Sequence, residues 1–411
     1  MSIVVQKFGG SSVADAGCIA RVASRVARMA EAGHQVVAVV SAMGDSTDDL
    51  IALARQINPA LPQREMDMLL ATGEQQSIAL LAMALLHLGR RAVSLTGAQA
   101  GVCTDGLYSR AKITHIDCRR IIKELDTDNI VIVAGFQGID EAGNINTLGR
   151  GGSDTSAVAL AVALEAELCE IFTDVEGVYT ADPRIVKKAW KIPEISYDEM
   201  LEMAAMGAQV LQPRSVEVAK QYNMPLHVRS SFKSSRGTIV KEVAKVPREM
   251  EKELLVCGIA HDLNILKTTI FDAEDNSRDL ARIFLLLAAE NINLDMISRS
   301  SNRNGKQDIS FTTGRDDKQK VEKLLKNLME EMGLGGFEIV DTLAKVSIVG
   351  AGMITNPGVA AGMFQILLEQ GIDIDMITTS EIKISCVIDE TRVNDAVLAL
   401  HTGFNLDAED K

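Results

Sequence analysis

The sequence is poor in the patterns that mark most catalytic chemistries. Its six histidines (His34, His87, His115, His227, His261, His401) sit in no recognisable motif. Its six cysteines (Cys18, Cys103, Cys118, Cys169, Cys257, Cys386) are scattered, with no CxxC pair and no histidine at metal-ligand spacing. That excludes a sequence-encoded metal site and a dithiol redox motif, and it reads as reduced thiols in a cytoplasmic protein. There is no GxSxG elbow and no GxxxxGK[ST] loop, so neither serine hydrolysis nor P-loop chemistry is encoded. A basic excess is also missing: the formal net charge is −14, the wrong sign for a surface whose main partner is nucleic acid. The start, MSIVVQKFGG, lacks the basic residues and long apolar run of a secretory leader. No run of about 20 apolar residues offers a membrane span.

What the chain does have is repeated short apolar runs, each ending in a glycine-rich loop. They are SIVVQKFGG, QVVAVVSAMG, RAVSLTGAQAG, NIVIVAGFQG and CEIFTDVEGVY. Continuous apolarity, not alternation, suits strands buried on both faces. Between them lie helical patterns such as CIARVASRVARMAEAG, where Ile19, Val22, Val26 and Met29 share a face and Gly33 supplies a stop. Strand and helix in alternation predict an α/β domain with a mostly parallel sheet. Ligands of such sheets sit beyond the carboxyl ends of the strands, where the glycine-rich loops lie. With 411 residues, two or three domains are expected.

The pattern changes near residue 245. VKEVAKVPREMEKE reads as a charged linker, and beyond it the chain repeats itself. IFLLLAAENINLDMIS matches MFQILLEQGIDIDMIT at an offset of about 80 residues, aligning Phe284 with Phe364, Leu287 with Leu367 and Asp295 with Asp375. Each copy predicts an amphipathic helix, a turn and a strand, followed by a second strand in KQDISFTT and EIKISCVI. Two copies of one small α+β module follow. Within the second, VSIVGAGMITNPG mimics a dinucleotide fingerprint, but Thr355 stands where the third glycine belongs.

Three loops carry chemistry. INTLGRGGSDTSAVALAVAL places Arg150, Gly151, Gly152, Ser153 and Asp154 at the start of an apolar helix, where backbone N–H groups and the helix dipole favour an anion. In KFGGSSV, Lys7 follows a buried strand and Gly9 and Gly10 let N–H groups approach a ligand; the bland alternative is a solvated lysine beside a turn. TDVEGVYTADPR brings Thr173, Asp174, Tyr179, Asp182 and Arg184 together after a strand, parts that suit a nucleotide or an ordinary surface loop. LLATGEQQS is read as a helix start at Thr72, Gly73 and Glu74, with Glu74 either a dipole partner or a carboxylate for a substrate ammonium.

KFGGSSV, VSAMG, TGEQ, GRGGSDTSA, FTDVEGVYTADPR and PRSVEVAK, in this order, resemble the aspartokinase group of the amino acid kinase family, and the tail resembles its paired ACT modules. The resemblance spans essentially the whole chain. It implies a three-layer αβα kinase domain over 1–245, a linker over 246–253, and βαββαβ-like ACT modules over 254–335 and 336–411. It implies transfer of the γ-phosphoryl of MgATP to the side-chain carboxylate of L-aspartate, the first step toward lysine, threonine and methionine, with ATP and Mg²⁺ required and no metal site formed by the protein itself. Arg150 would then pair with the α-carboxylate, Glu74 hold the α-ammonium and Thr47 help to position the substrate, with Gly151, Gly152 and Ser153 as donors. Lys7, Phe8, Gly9, Gly10 and Ser41 would face the phosphates and the reacting carboxylate, and Asp154 would organise Lys7. Thr173, Asp174, Tyr179, Asp182 and Arg184 would hold ATP. An effector amino acid, lysine with threonine as a second, would bind among Asp275, Asp295, Arg299, Val359, Ala360, Asp373, Ile374, Ser380 and Glu381. A homo-oligomer joined through the ACT modules is implied, with an optional ACT-only subunit starting near Met250; nucleic acid and membrane are not partners.

Two departures stand out. Gln209 occupies GAQVLQPR where relatives often have lysine, and Ser277-Arg278 replaces the Pro-Gly turn that the second copy keeps at Pro357-Gly358. The nearest rival is a kinase of glutamate or acetylglutamate, which an assay of both acceptors separates. A regulator with a dead kinase fold is disfavoured because Lys7, Asp154 and Arg150 are all present.

Overall fold

All five apolar runs become strands of one sheet in the structure, a computed structural model that describes residues 1–205, 210–242, 256–274, 277–301, 306–332, 334–351, 353 and 356–407. The described chain divides into two compact units: Met1–Tyr179 with Lys191–Met250, and Thr180–Trp190 with Glu251–Lys411. The segment after Tyr179 therefore leaves the contiguous first domain that the sequence suggests. Its Ala181 and Val186 belong to an apolar core of the second unit. The linker at 246–253, Gln209 and Asp275 lie outside the described residues.

The first unit's strands are β1 Ile3–Phe8, β2 Gln35–Val40, β3 Ala92–Leu95, β4 Val102–Thr104, β5 Ile113–Ile116, β6 Ile130–Ala134, β7 Gln137–Ile139, β8 Ile145–Thr147, β9 Leu168–Thr173, β10 Glu194–Ile195, β11 Leu226–Ser230 and β12 Thr238–Val240. Its helices are α1 Ala16–Glu31, α2 Ser46–Ile57, α3 Gln63–His87, α4 Arg119–Leu125, α5 Gly152–Ala163, α6 Tyr197–Ala205 and α7 Pro213–Tyr222. Among the described residues the main sheet runs β10-β12-β11-β9-β1-β2-β6-β3, parallel except where β11 meets β12. On one face, Ile19, Val22 and Val26 of α1 and Ile78, Leu81 and Leu85 of α3 pack on alternate strand residues. On the other, α5 lies against β1 and β9 with α7 beside it. This is the three-layer arrangement expected. A small second sheet, β5-β4-β7-β8, was not legible from three- and four-residue runs.

Helix α3 corrects two expectations. It begins at Gln63, so Thr72, Gly73 and Glu74 sit in mid-helix and Glu74 is no dipole partner. Gly73 does not stop the helix; it lets α3 touch the β2 loop, since a Cβ there would lie 2.8 Å from Ala42 Cβ. At 25 residues, α3 is also long and apolar enough to cross a membrane by length and composition. It is a core helix of its unit: Ala71, Leu81 and Leu85 are fully buried, and so is the charged Asp67.

The second unit has strands β13 Gly258–Glu274, β14 Ile297–Ser301, β15 Lys306–Thr313, β16 Gly336–Val349, β17 Met376–Thr379 and β18 Lys383–Asp389, with helices α8 Ser277–Ala289, α9 Lys318–Met332, α10 Pro357–Glu369 and α11 Val393–Gly403. One antiparallel sheet, β14-β15-β13-β16-β18-β17, holds both repeats. The helix, strand and second strand expected of each copy are α8-β14-β15 and α10-β17-β18. The repeats interlock where two consecutive modules were expected. β13 pairs with β16, in the second repeat, along both halves, 258–262 with 345–349 and 265–271 with 336–343, while on its other side 266–274 pairs with β15 of the first repeat. Each repeat has its own core, around Ile283, Leu287 and Leu325 or around Met363, Leu367 and Leu400. The aligned leucines Leu287 and Leu367 are both fully buried, worth about 1.5–3 kcal/mol each relative to exposure.

Candidate functional site

The parallel order of β2, β1 and β9 sends three glycine-containing loops to the same edge of the sheet. Strand alternation decides which side chains face them. Phe8 points to the α1 face, where its ring stacks on Phe172 at a centroid distance of 4.9 Å. Lys7 points to the opposite face, toward α5, and its ammonium lies 2.6 Å from Asp154 Oδ1. Both side chains are about nine-tenths buried, so the pair lies in a low-dielectric setting. Gly9 caps the short 3₁₀ turn Gly10–Val13, and the Ser41 N–H donates to the Phe8 carbonyl. The Phe8 ring thus belongs to the core, and only its backbone faces the loop.

Helix α5 starts at Gly152, as the sequence predicts. Gly151 caps it in the left-handed region (φ +68°), and a Cβ at Gly151 would fall 1.6 Å from Gln212 Cγ. No other residue type fits. Ser153 and Asp154 are buried in the first turn, while Arg150 is exposed. Among the described residues, the Arg150 guanidinium has no hydrogen-bond or ion-pair partner. A fixed fork of N–H donors beside a helix N-terminus suits a carboxylate or a phosphate.

Glu74 is 3% exposed. Its Oε1 accepts the Ala42 N–H at 3.0 Å; its Oε2 is buried with no partner among the described residues. Burial pushes its carboxyl up to about 7, against the pull of hydrogen bonds from its own and the Ala42 backbone. A half-satisfied buried carboxylate is costly, and an ammonium donor would meet the need. Thr47 lies in the first turn of α2, half-buried, on the chain that leaves the same β2 loop.

Thr173 ends β9, and its hydroxyl donates to Asp174 Oδ1 at 3.1 Å. Tyr179 is half-buried, burial pushes its phenol up, and it bridges to Lys191. Asp182 and Arg184 stand in the second unit. There Arg184 Nε and Nη2 donate to both Asp182 oxygens, holding that carboxyl below its ordinary value. Thr173, Asp174 and Tyr179 thus belong to the first unit, and Asp182 and Arg184 to the second.

Sequence reasoning passed over two residues of this region. Asp67 lies on α3 two turns before Glu74 and is wholly buried. Arg214 follows Pro213 at the start of α7. The only signal for Asp67 was a single acid in the otherwise apolar run MDMLLA.

In the second unit the expected effector residues separate. Val359 and Ala360 begin α10, while Ser380 and Glu381 form the β17–β18 turn, whose next residue, Ile382, accepts the Gly350 N–H. Asp373 and Ile374 lie at the other end of β17, lining a cavity of about 520 Å³ with Leu343, Ile372, Asp389 and Arg392. Asp295 is held by Lys345 at 2.5 Å, and its repeat counterpart Asp375 by Lys267 at 2.6 Å. Arg299 lies in β14, paired with Ile309. Ser277-Arg278 still opens a helix without the Pro-Gly turn.

Residues 2–230 match the amino acid kinase family, and residues 346–404 an ACT domain. The aspartokinase of Geobacillus stearothermophilus is 52% identical over 411 residues, covering 100% of this chain and 98% of its own. That of Mycolicibacterium smegmatis is 49% identical over 415 residues with the same coverage. Among solved structures, E. coli aspartokinase III in complex with aspartate and ADP, in the R-state, superposes with a TM-score of 0.82 at 27% identity, over 98% of this chain and 99% of that one. The same enzyme with lysine and aspartate, in the T-state, gives 0.75. A sequence half shared with aspartokinases from end to end, on the fold of one that holds aspartate and ADP, makes this chain an aspartate kinase of the amino acid kinase family, with a C-terminal ACT unit.

Proposed function

We propose that the chain catalyses the first step toward lysine, by way of diaminopimelate, and toward threonine and methionine, in the cytoplasm, under amino-acid control exerted through its ACT unit. The side-chain carboxylate of L-aspartate attacks the γ-phosphorus of MgATP, the bond to the β,γ-bridging oxygen breaks, and 4-phospho-L-aspartate and ADP form. The observation that carries this reading is Glu74, a buried carboxylate with one oxygen satisfied by backbone and the other without a partner among the described residues. An α-ammonium completes it, and the Arg150 fork takes the α-carboxylate, leaving the β-carboxylate to face Lys7. Thr47, Ser153 and the N–H groups of Gly151 and Gly152 frame the substrate; Gly9, Gly10, Ser41, Thr173, Asp174 and Tyr179 frame the nucleotide.

No general base is needed, because the attacking carboxylate is ionised near neutral pH. The obstacle is bringing an anion to a polyanion. Lys7, fixed by Asp154 in a largely buried pair, offsets that repulsion without reorganising during the reaction. Bound with the nucleotide phosphates, Mg²⁺ would add divalent charge, and Asp154 and Asp174 are the acids that this chain offers it.

For control, lysine, with threonine as a second effector, binds the ACT unit of a homo-oligomer and favours the less active state. A lysine-bound T-state of E. coli aspartokinase III supports the choice of effector. Val359, Ala360, Ser380 and Glu381 share one end of the second repeat and are the preferred pocket. The test is initial rate with aspartate or glutamate, then with lysine and threonine singly and together, for wild type and Glu381→Ala. Equal turnover of glutamate sinks the acceptor assignment. Indifference to both amino acids sinks the effector assignment and leaves the kinase intact, and an unchanged response of Glu381→Ala removes that residue from the pocket.

A further inference from the structure

We infer that Asp67 and Arg214 are positioning residues that latch the Arg150 loop from two sides and so set the selectivity of the kinase for the α-carboxylate of its substrate. The inference rests on the reading above in which Arg150 receives that carboxylate. Arg150 projects from an exposed loop with no protein partner of its own among the described residues, so its placement depends on the backbone at 147–151. That backbone is held with unusual completeness.

Asp67 accepts five hydrogen bonds. The Thr147 N–H donates to Oδ2 at 2.9 Å and the Thr147 hydroxyl to Oδ1 at 2.7 Å. The Ser109 N–H donates to Oδ1 at 3.1 Å and Oδ2 at 2.9 Å, and its hydroxyl to Oδ1 at 3.2 Å. A wholly buried carboxylate tolerates its site only when so fully satisfied. Arg214 works from the other side. Its Nη1 donates to the Leu148 carbonyl at 2.8 Å and its Nη2 to the Ala111 carbonyl at 3.1 Å. The two halves meet, because the Ala111 N–H donates to the Thr147 carbonyl at 2.9 Å. Gln212, just before α7, presses on Gly151 so closely that no side chain fits there.

Each latch ties the loop to an element that matters for the substrate. Asp67 and Glu74 lie two turns apart on one side of α3, so a single rigid helix fixes the ammonium acceptor and the strand that leads to Arg150. Arg214 couples the residue two before Arg150 to α7, which packs beside α5 and its Asp154. Neither latch touches substrate; each sets where the guanidinium stands relative to Glu74. Misplacing a binding group by about 1 Å costs up to ~10²-fold.

Asp67→Asn keeps the volume of the side chain but turns an NH₂ toward N–H donors. Arg214→Lys keeps the charge but cannot bridge two carbonyls. Steady-state kinetics of the full-length enzyme with L-aspartate, with its α-amide (isoasparagine) and with MgATP reads the effect, with Arg150→Lys as reference and the melting temperature as control. Both latch variants should raise the aspartate KM ~10-fold or more with the MgATP KM within about twofold, and should narrow the preference for aspartate over the α-amide by the same factor. A merely structural role lowers activity toward both acceptors alike and leaves the preference intact, which overturns the proposal. Should Asp67→Asn not fold, Arg214→Lys decides alone by the same criterion. If Arg150→Lys leaves aspartate KM and preference unchanged, the substrate reading itself fails and takes the latch with it; if only the latch variants leave them unchanged, the latch alone falls.

Discussion

Each unit contains a lysine–carboxylate pair with a largely buried ammonium, and the two pairs stand in different company. In the first unit, Lys7 and Asp154 meet at the carboxyl edge of a parallel sheet, beside a glutamate with a buried oxygen and an arginine that have no partner among the described residues. In the second, Lys345 and Asp295 are matched by Lys267 and Asp375, their counterparts in the other repeat. Each lysine there rises from a central strand of the antiparallel sheet and reaches the aspartate of the opposite repeat. The first arrangement leaves polar capacity for a ligand, while the second consumes it internally and ties the repeats to each other. Asp295 thus ties the two repeats to each other. Burial of a charge pair alone does not reveal function; what distinguishes the kinase edge is the unsatisfied capacity around the pair.

Removing each lysine is the most forceful test of that contrast. Lys7→Ala should cut kcat by ~10²–10³, the size expected for a fixed cation facing developing negative charge. Lys345→Ala should lower the melting temperature of the second unit but leave the effector-free kcat within about twofold, since it removes a buried ammonium whose partner Asp295 is 40% exposed and only partly desolvated. Rate measurements with calorimetry on both proteins decide the matter. A Lys7→Ala enzyme that keeps more than half of wild-type kcat would falsify the division, as would a Lys345→Ala enzyme that loses turnover while folded.

The five main strands, the apolar repeat and the cradle at Arg150–Asp154 were legible because each is a local pattern: continuous apolarity, recurrence, and glycines ahead of a helix. The start of helix α3 was misplaced at Thr72–Glu74, whereas Gly73 sits in mid-helix and makes contact with Ala42, distant in sequence. The interlocking of the repeats was invisible because β13 is one continuous run that pairs with β16 of the second repeat along both of its halves and with β15 of the first only beyond residue 265. Likewise Asp182 and Arg184 continue the loop after β9 in sequence but belong, with Ala181 and Val186, to the second unit. Asp67 and Arg214 escaped notice because hydrogen bonds across long separations have no sequence period.

A second way to sharpen the comparison uses pH. Burial raises the Glu74 carboxyl to about 7, so in the substrate-free enzyme it is largely neutral at pH 6 and largely charged at pH 8. The raised value means that the folded state holds this proton more tightly than the unfolded chain, so this group's contribution to stability is lost as pH rises from about 4.5 through about 7. An ammonium ligand restores it. L-aspartate should therefore raise the melting temperature more at pH 8 than at pH 6, and its KM should climb below pH 7 by up to about tenfold per pH unit. Glu74→Gln should flatten both trends. A wild-type aspartate KM that is level between pH 6 and 8 would show that Glu74 does not receive the ammonium.

The smallest effect is expected in the second unit, at a histidine that no catalytic reading uses. His401 is wholly buried in α11, its Nε2 2.9 Å from the Thr180 hydroxyl and its Nδ1 2.9 Å from Asp407 Oδ1. Trp190 Nε1 adds a bond to the Leu406 carbonyl, so the segment Thr180–Trp190 is fastened at both ends to the C-terminal helix region. Burial holds the imidazole below its ordinary value of 6.5, the nearby Lys188 adds to the depression, and Asp407 opposes it. The unfolded chain therefore takes up the proton first. Stability from this group is fully present above about pH 6.5 and is lost as pH falls from there through the lowered folded value, at no more than about 1.4 kcal/mol per pH unit. Calorimetry of the full chain between pH 7.5 and 5 should show the transition of the second unit moving down, and His401→Gln, which keeps a partner for Thr180 but cannot titrate, should move less. The first unit's own pH response, set by Glu74, runs in the opposite direction over much of this range. If wild type and His401→Gln fall in parallel, the histidine is not the titrating group, and the contrast must rest on the lysine pairs alone.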